Sequence, residues 1–306
     1  MLRWRLLLGT LSIAALVGLC WLDHCASVPG VWLLPLAVVA AVLATREVLD
    51  LAALAQLRPL RWTVYVGNVL LVCSNWMAVL QWLNIWPAKW HMNGLLYGTT
   101  CLWTLAVLSA LAIAVLLVLL GEMCRYRRPG GNTANLAAGI FALIYVGLLL
   151  SFAVQLRLFW GVAAIAAWII VVKMGDTGAY AVGRLIGRHK MAPLISPGKT
   201  IEGAVGALVF SCLGSWLTFR WLVPLMLPEE LMVISRPWWG WLAFGLLVGV
   251  ACMVGDLAES LLKRDVGVKD SSNWMPGFGG VLDMIDSLLL AAPVAWFCWA
   301  TGLVGR

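Results

Sequence analysis

The sequence predicts an all-α protein: a polytopic transmembrane helical bundle of about nine spans, with its N-terminus on the cytoplasmic side. Three observations predict it. Of 306 residues, 63% are hydrophobic, 19 are Trp and the mean hydropathy is +0.95, far above a soluble domain. Apolar runs near the ~20 residues that a bilayer core demands recur along the whole chain. The basic residues between them sort to one side.

The first run, 5–22, follows Arg3 and Arg5 and has the look of a signal peptide. No small-x-small cleavage site comes before Trp21, and Leu19 ahead of Cys20 does not suit a lipoprotein site, so it reads as a retained span. The second, 31–50, ends on Arg46, Glu47 and Asp50, with Arg46 and Asp50 spaced i, i+4 as a helix-end ion pair. Runs 62–83 and 95–120 are chemically quiet. The turn after them, Tyr126 to Gly131, carries arginines suited to lipid headgroups. Runs 135–153 and 158–174 are parted only by Gln155–Leu158, so one broken hairpin is an alternative to two spans. Runs 203–227, 238–254 and 284–303 complete the set. Residues 1–135 read as N-terminal transmembrane helices and 136–306 as a catalytic transmembrane region.

The charges agree with that count. With the N-terminus inside, Arg3, Arg5, Arg46, Arg58, Arg61, Arg125, Arg127, Arg128, Lys173, Arg184, Arg188, Lys190, Lys199, Lys263, Arg264 and Lys269 are cytoplasmic. Only Lys89, Arg157, Arg220, Arg236 and Arg306 face the other side. The net charge of +7 therefore needs no nucleic acid; basic loops beside anionic lipid account for it. Eight scattered cysteines form no CxxC pair and read as apolar filler, and three distant histidines offer no zinc spacing.

Two stretches carry chemistry. Gly255 to Ser287 reads GDLAESLLKRDVGVKDSSNWMPGFGGVLDMIDS, in a chain that is otherwise only 11% charged. A dense, mixed-sign cluster between apolar helices is a candidate functional site. Asp256, Glu259, Ser260, Lys263 and Arg264 fall on one helix face. Pro276-Gly277-Phe278-Gly279-Gly280 then breaks the chain, and Asp283 and Asp286 follow in the first turn of the next helix. A glycine-rich loop feeding a helix N-terminus suits phosphate, and carboxylates beside phosphate call for a hard cation such as Mg²⁺. These are the parts of a phosphoryl- or nucleotidyl-transfer site. The bland reading is a solvated loop whose aspartates favour a helix N-terminus. The second stretch, residues 173–203, is glycine-rich and basic, with Asp176 and Tyr180 at i, i+4 and Ser196-Pro197-Gly198-Lys199-Thr200 turning back toward the next span. It is no Walker A loop, because the glycine four residues ahead of Gly-Lys-Thr is missing. Taken alone it reads as a basic loop on anionic lipid.

Together the two stretches resemble the phosphatidate cytidylyltransferases (CDP-diglyceride synthases) over roughly residues 170–290. The matching residues are Asp176-Thr177-Gly178-Ala179-Tyr180, Gly183, Ser196-Pro197, Lys199-Thr200, Glu202-Gly203, Ser260, Lys263-Arg264, Lys269-Asp270, the Pro-Gly-x-Gly-Gly run and Asp283 with Asp286. Gly198, Phe278 and Met284 stand where the family has Lys, His and Arg, each replacement removing a group that could meet phosphate.

The resemblance implies transfer of the cytidylyl group of CTP to phosphatidic acid, giving CDP-diacylglycerol and pyrophosphate. It implies Mg²⁺ on Asp256 and Asp283, with Asp286 beside them. Lys263 and Arg264 would act on the phosphates. Asp176, Ser196, Lys199, Thr200, Ser260, Lys269, Asp270, Gly277, Gly279 and Gly280 would bind substrate. The expected setting is a bacterial inner membrane with the site on the cytoplasmic side, and a homodimer is compatible with the small-residue-rich spans. The alternatives are a CTP-dependent polyprenol or phytol kinase-like enzyme, or a degenerate homologue without activity.

Overall fold

The structure, a computed structural model, describes residues 2–77, 79, 97–127, 129–226, 238–272, 274 and 279–304. It is 81% helical. In chain order the helices are α1 (Leu2–Cys25), α2 (Leu33–Leu54), α3 (Arg61–Ser74), α4 (Tyr97–Arg125), α5 (Asn132–Ala142), α6 (Leu149–Ile186), α7 (Ile201–Leu217), α8 (Val223–Met226), α9 (Trp238–Asp265) and α10 (Val281–Ala300). Wider π-helical turns, Leu143–Leu148 and Thr218–Leu222, join α5 to α6 and α7 to α8. Among the described residues five stretches are long and apolar enough to cross a membrane: Thr104–Arg125, Asn132–Ile186, Ile201–Met226, Trp238–Asp265 and Val281–Ala300.

Two sequence expectations need correction. The break expected at Gln155–Leu158 is absent: helix continues through it and is interrupted instead at Gly161 (φ 76°, ψ −169°). That left-handed conformation is open to glycine and strained for any residue with a Cβ. The fold is also not purely helical. Residues Lys190–Ala192 and Ser196–Thr200 form an antiparallel hairpin, β1 and β2. Pro197 sits in this short exposed ribbon, where it disturbs no interior ladder.

The chain divides into two compact units. The first comprises Met1–Leu158 and Ser271–Leu282, the second Phe159–Asp270 and Asp283–Arg306.

In the first unit, Leu71, Val64, Val118, Leu143 and Val146 are fully buried. Gly67 lets α3 close on its neighbours: a Cβ there would lie 2.6 Å from Leu143 Cδ2 and 3.0 Å from Ala114 Cβ. Buried polar side chains stitch the helices. Asn68 Nδ2 donates to Thr45 Oγ1 at 2.6 Å, and Gln155 Nε2 to Asn75 Oδ1 at 3.0 Å. In apolar surroundings such bonds contribute on the order of 0.6 kcal/mol each. Asp23, fully buried, accepts from Arg157 Nε and from the amides of Gly30 and Trp32, which fastens the α1–α2 turn. Arg46 and Asp50 do pair, at 3.8 Å, but Arg61 Nη2 lies closer to Asp50, at 2.7 Å.

The second unit packs backbone against backbone. A Cβ at Gly178 of α6 would lie 2.5 Å from Phe210 Cβ, and one at Gly245 of α9 would lie 2.6 Å from Cys212 Cα. Small residues at these crossings bring α6, α7 and α9 close, as between membrane helices that have no hydrophobic drive to associate.

Candidate active site

The candidate site lies in the second unit. Four elements build it: the C-terminal part of α6, the β1–β2 hairpin with the start of α7, the C-terminal third of α9, and the first turns of α10. Thr200 caps α7, its Oγ1 accepting from Gly203 N at 3.1 Å, which orients the strand that enters the helix. Glu202 accepts from the amides of Arg188 and His189 and pairs with His189 Nδ1 at 2.6 Å. It therefore holds the loop ahead of the hairpin.

A cavity of about 420 Å³ opens between the first three of these elements. Asp176 and Tyr180 line it from α6, Ser196, Lys199 and Thr200 from the hairpin, and Cys252 and Asp256 from α9. Lys199 Nζ lies 2.8 Å from Asp256 Oδ2, a close ion pair without hydrogen-bond alignment. Lys173 Nζ lies 3.0 Å from Asp176 Oδ2, and Cys252 Sγ donates to Asp176 Oδ1 at 3.2 Å.

One to two turns further along α9 a second cluster forms. Lys263 Nζ lies 2.6 Å from Glu259 Oε2 and 2.6 Å from Asp283 Oδ1 of α10. Glu259 is 1% exposed, and its Oε1 accepts no hydrogen bond. Asp286, also buried, accepts from Ser287 N and Oγ. Gly255 admits α10 at this level: a Cβ there would lie 2.8 Å from Asp286 O. The two aspartates therefore enter beside α9, next to Glu259 and Lys263.

The other residues singled out by the sequence are placed as follows. Arg264 donates to Ile195 O at 3.3 Å and to Val268 O at 3.2 Å, tying α9 to the hairpin. Ser260 is half-buried on α9; Lys269 and Asp270 are exposed beyond it, and none of the three lines the cavity. Gly277 lies outside the described residues. Gly279 and Gly280 belong to the first unit, and there a different anion meets the start of α10. Glu47 Oε1 accepts from Val281 N at 2.9 Å and Oε2 from Leu282 N at 2.7 Å. Ser271 Oγ and Trp274 Nε1 donate to the same carboxylate, and a Cβ on Gly280 would collide with it. The helix N-terminus that the sequence offers to phosphate is thus filled by the protein's own carboxylate. Glu47 escaped the sequence reading as one charge among three at a helix end. Its signal was a position between Ala44 and Leu51 on a buried face.

The donor chemistry fits a hard divalent cation: four carboxylates on α9 and α10, one with an orphaned buried oxygen. Among the described residues no three acidic, thiol or imidazole side chains yet close around one point. Lysines stand between them instead.

A family model described as the cytidylyltransferase family matches residues 4–301, and the chain belongs to that family. It is 37% identical to the phosphatidate cytidylyltransferase of Mycobacterium bovis over 169 residues, 55% of this chain and 52% of that protein. It is 40% identical to that of Haemophilus influenzae over 124 residues, covering 40% of this chain and 41% of the relative. It is 32% identical to the uncharacterized protein YnbB of Escherichia coli over 216 residues, 67% of each. The chain spans about half the length of the phosphatidate cytidylyltransferases it matches.

Proposed function

We propose that this protein transfers the cytidylyl group of CTP to phosphatidic acid in the membrane. The observation that carries the proposal is the pair of lysine–carboxylate contacts, Lys199 to Asp256 and Lys263 to Asp283, at one end of three apolar helices. Family membership supplies the chemical class.

The reaction suits such a site. An ionised phosphate oxygen of phosphatidic acid attacks the α-phosphorus of CTP. The bond from that phosphorus to the bridging oxygen breaks, and pyrophosphate leaves with the electron pair. No protein nucleophile or strong base is needed; alignment and neutralisation of repelling anions are. Lys199 and Lys263 supply positive charge to phosphate oxygens, and Ser196 and Thr200 offer hydroxyls along the cavity wall. Asp256 and Asp283, with Asp286 and Glu259 beside them, would hold Mg²⁺. That ion, when bound, neutralises charge shared between the phosphates. Nine spans, a cytoplasmic N-terminus and a site on the cytoplasmic face of a bacterial inner membrane complete the proposal, supported by the charge asymmetry of the sequence.

The test uses purified protein in detergent with phosphatidic acid, Mg²⁺ and CTP labelled in the cytidine. Label entering the lipid phase, and lost on chelation, is the expected result. Transfer of the γ-phosphate to a polyprenol, or no transfer to either acceptor, overturns the proposal.

A further inference from the structure

A second cleft, of about 600 Å³, lies in the first unit at the α2–α3 turn and shares no residue with the candidate active site. Arg58, Arg61 and Arg125 line it, beside Leu57, Leu60 and Trp62. We propose that it binds the phosphate headgroup of an anionic glycerophospholipid.

The turn is built, not loose. Arg58 N donates to Asn135 Oδ1 at 2.7 Å, Leu60 N to Glu122 Oε1 at 2.8 Å, and Arg125 Nη1 to Arg58 O at 2.7 Å. A Cβ on Gly121 would lie 2.9 Å from Leu60 Cδ2, so α4 presses directly on the turn and delivers Arg125 to it. The charges do not cancel. Asp50 answers Arg61 and Arg46, and Glu122 stands 4.0 Å from Arg125. Four arginines against two carboxylates leave an excess of positive charge. Among the described residues the Arg58 guanidinium has no acidic partner. The N-terminus of the 14-residue α3 opens on the same cleft through Arg61 and Trp62, adding the positive end of a helix dipole.

Two features select a lipid over a free anion. Part of the wall is apolar, from Leu49, Leu57 and Leu60. An exposed apolar stripe also leaves the cleft along α3. Trp62 is 55% and Val66 47% exposed, and Cys73 is exposed on the same helical face. Guanidiniums at the phosphate, an indole at the glycerol level and an apolar track beyond match the layers of one phospholipid.

The probe is phosphatidylglycerol, with phosphatidylcholine as zwitterionic control, titrated onto the detergent-purified chain and read by native mass spectrometry. The unmodified protein is expected to retain one phosphatidylglycerol in preference to phosphatidylcholine. Arg58→Gln weakens that binding about fivefold and Arg58→Glu about twentyfold, because each cation near a headgroup counts for roughly that factor. Both variants keep the thermal midpoint, since the Arg58 guanidinium is exposed and carries none of the hydrogen bonds that build the turn. Equal affinity in Arg58→Glu overturns the inference, and so does phosphatidylcholine binding as tightly. Displacement by millimolar inorganic phosphate overturns the lipid assignment. Loss of binding in Asp256→Asn, with retention in Arg58→Glu, places the lipid in the reaction cavity and overturns it as well.

Discussion

Lys263 donates to Asp283 at 2.6 Å while holding Glu259 at the same distance, so one ammonium joins carboxylates from two helices. Before any substrate arrives, one cation is therefore already shared between two of the acids named for the site. A buried pair of this kind is far more costly to break than to replace.

Lys263→Met is expected to destabilise the protein by about 3–5 kcal/mol, because it removes the ammonium paired with the buried Glu259 carboxylate and shared with Asp283. Added Mn²⁺ should recover part of that loss by binding the folded state. Thermal unfolding with and without Mn²⁺ measures both effects. If Mn²⁺ raises the midpoint of the variant no more than that of the unmodified chain, these carboxylates are not cation ligands.

Asp283→Asn keeps the size of the side chain and removes its charge. Turnover of labelled CTP should fall at least about 100-fold, the scale of losing one preorganised electrostatic group, while helical content stays unchanged by circular dichroism. Near-normal turnover would exclude Asp283 from the site.

Glu47→Gln places an NH₂ group against two of the four donors that Glu47 now accepts. The expected cost is about 2–3 kcal/mol, from lost charged hydrogen bonds and unsatisfied amides. Hydrogen exchange read by mass spectrometry should show faster exchange at Val281 and Leu282, and Glu47→Asp should lose less. Unchanged protection there would mean that the cap is dispensable.

Gly206→Val tests the close approach of α6 and α7. A Cβ at Gly206 already lies 2.5 Å from Val182 Cβ, so a branched side chain must push the helices apart. Overpacking of this kind costs about 1–3 kcal/mol. Turnover should fall with it, because Asp176 and Thr200 sit on the separated elements. A variant with full activity and an unshifted midpoint would show that this crossing is soft.

Some of this was legible because it depends on local order. Runs of apolar residues near bilayer length predict helices whatever they pack against. Asp256, Glu259 and Lys263 share a face because 3.6 residues per turn put them there. The Ser196–Thr200 segment was visible as chemistry but not as a strand. Its register with Lys190–Ala192 depends on pairing that neither segment specifies alone. Glu47 was hidden for a stronger reason: its partners lie more than 220 residues away, and a buried carboxylate shows its role only through them.

By itself, the sequence determined the helical class, the apolar segments and the inventory of carboxylates, lysines and glycines in two stretches, since each follows from composition and short-range periodicity. Only the tertiary structure decided which charges meet. It set Lys199 against Asp256 and Lys263 between Glu259 and Asp283, and it filled the start of α10 with Glu47. Coulomb energy and desolvation depend on distance in space and on burial, and neither quantity is defined until the helices have packed.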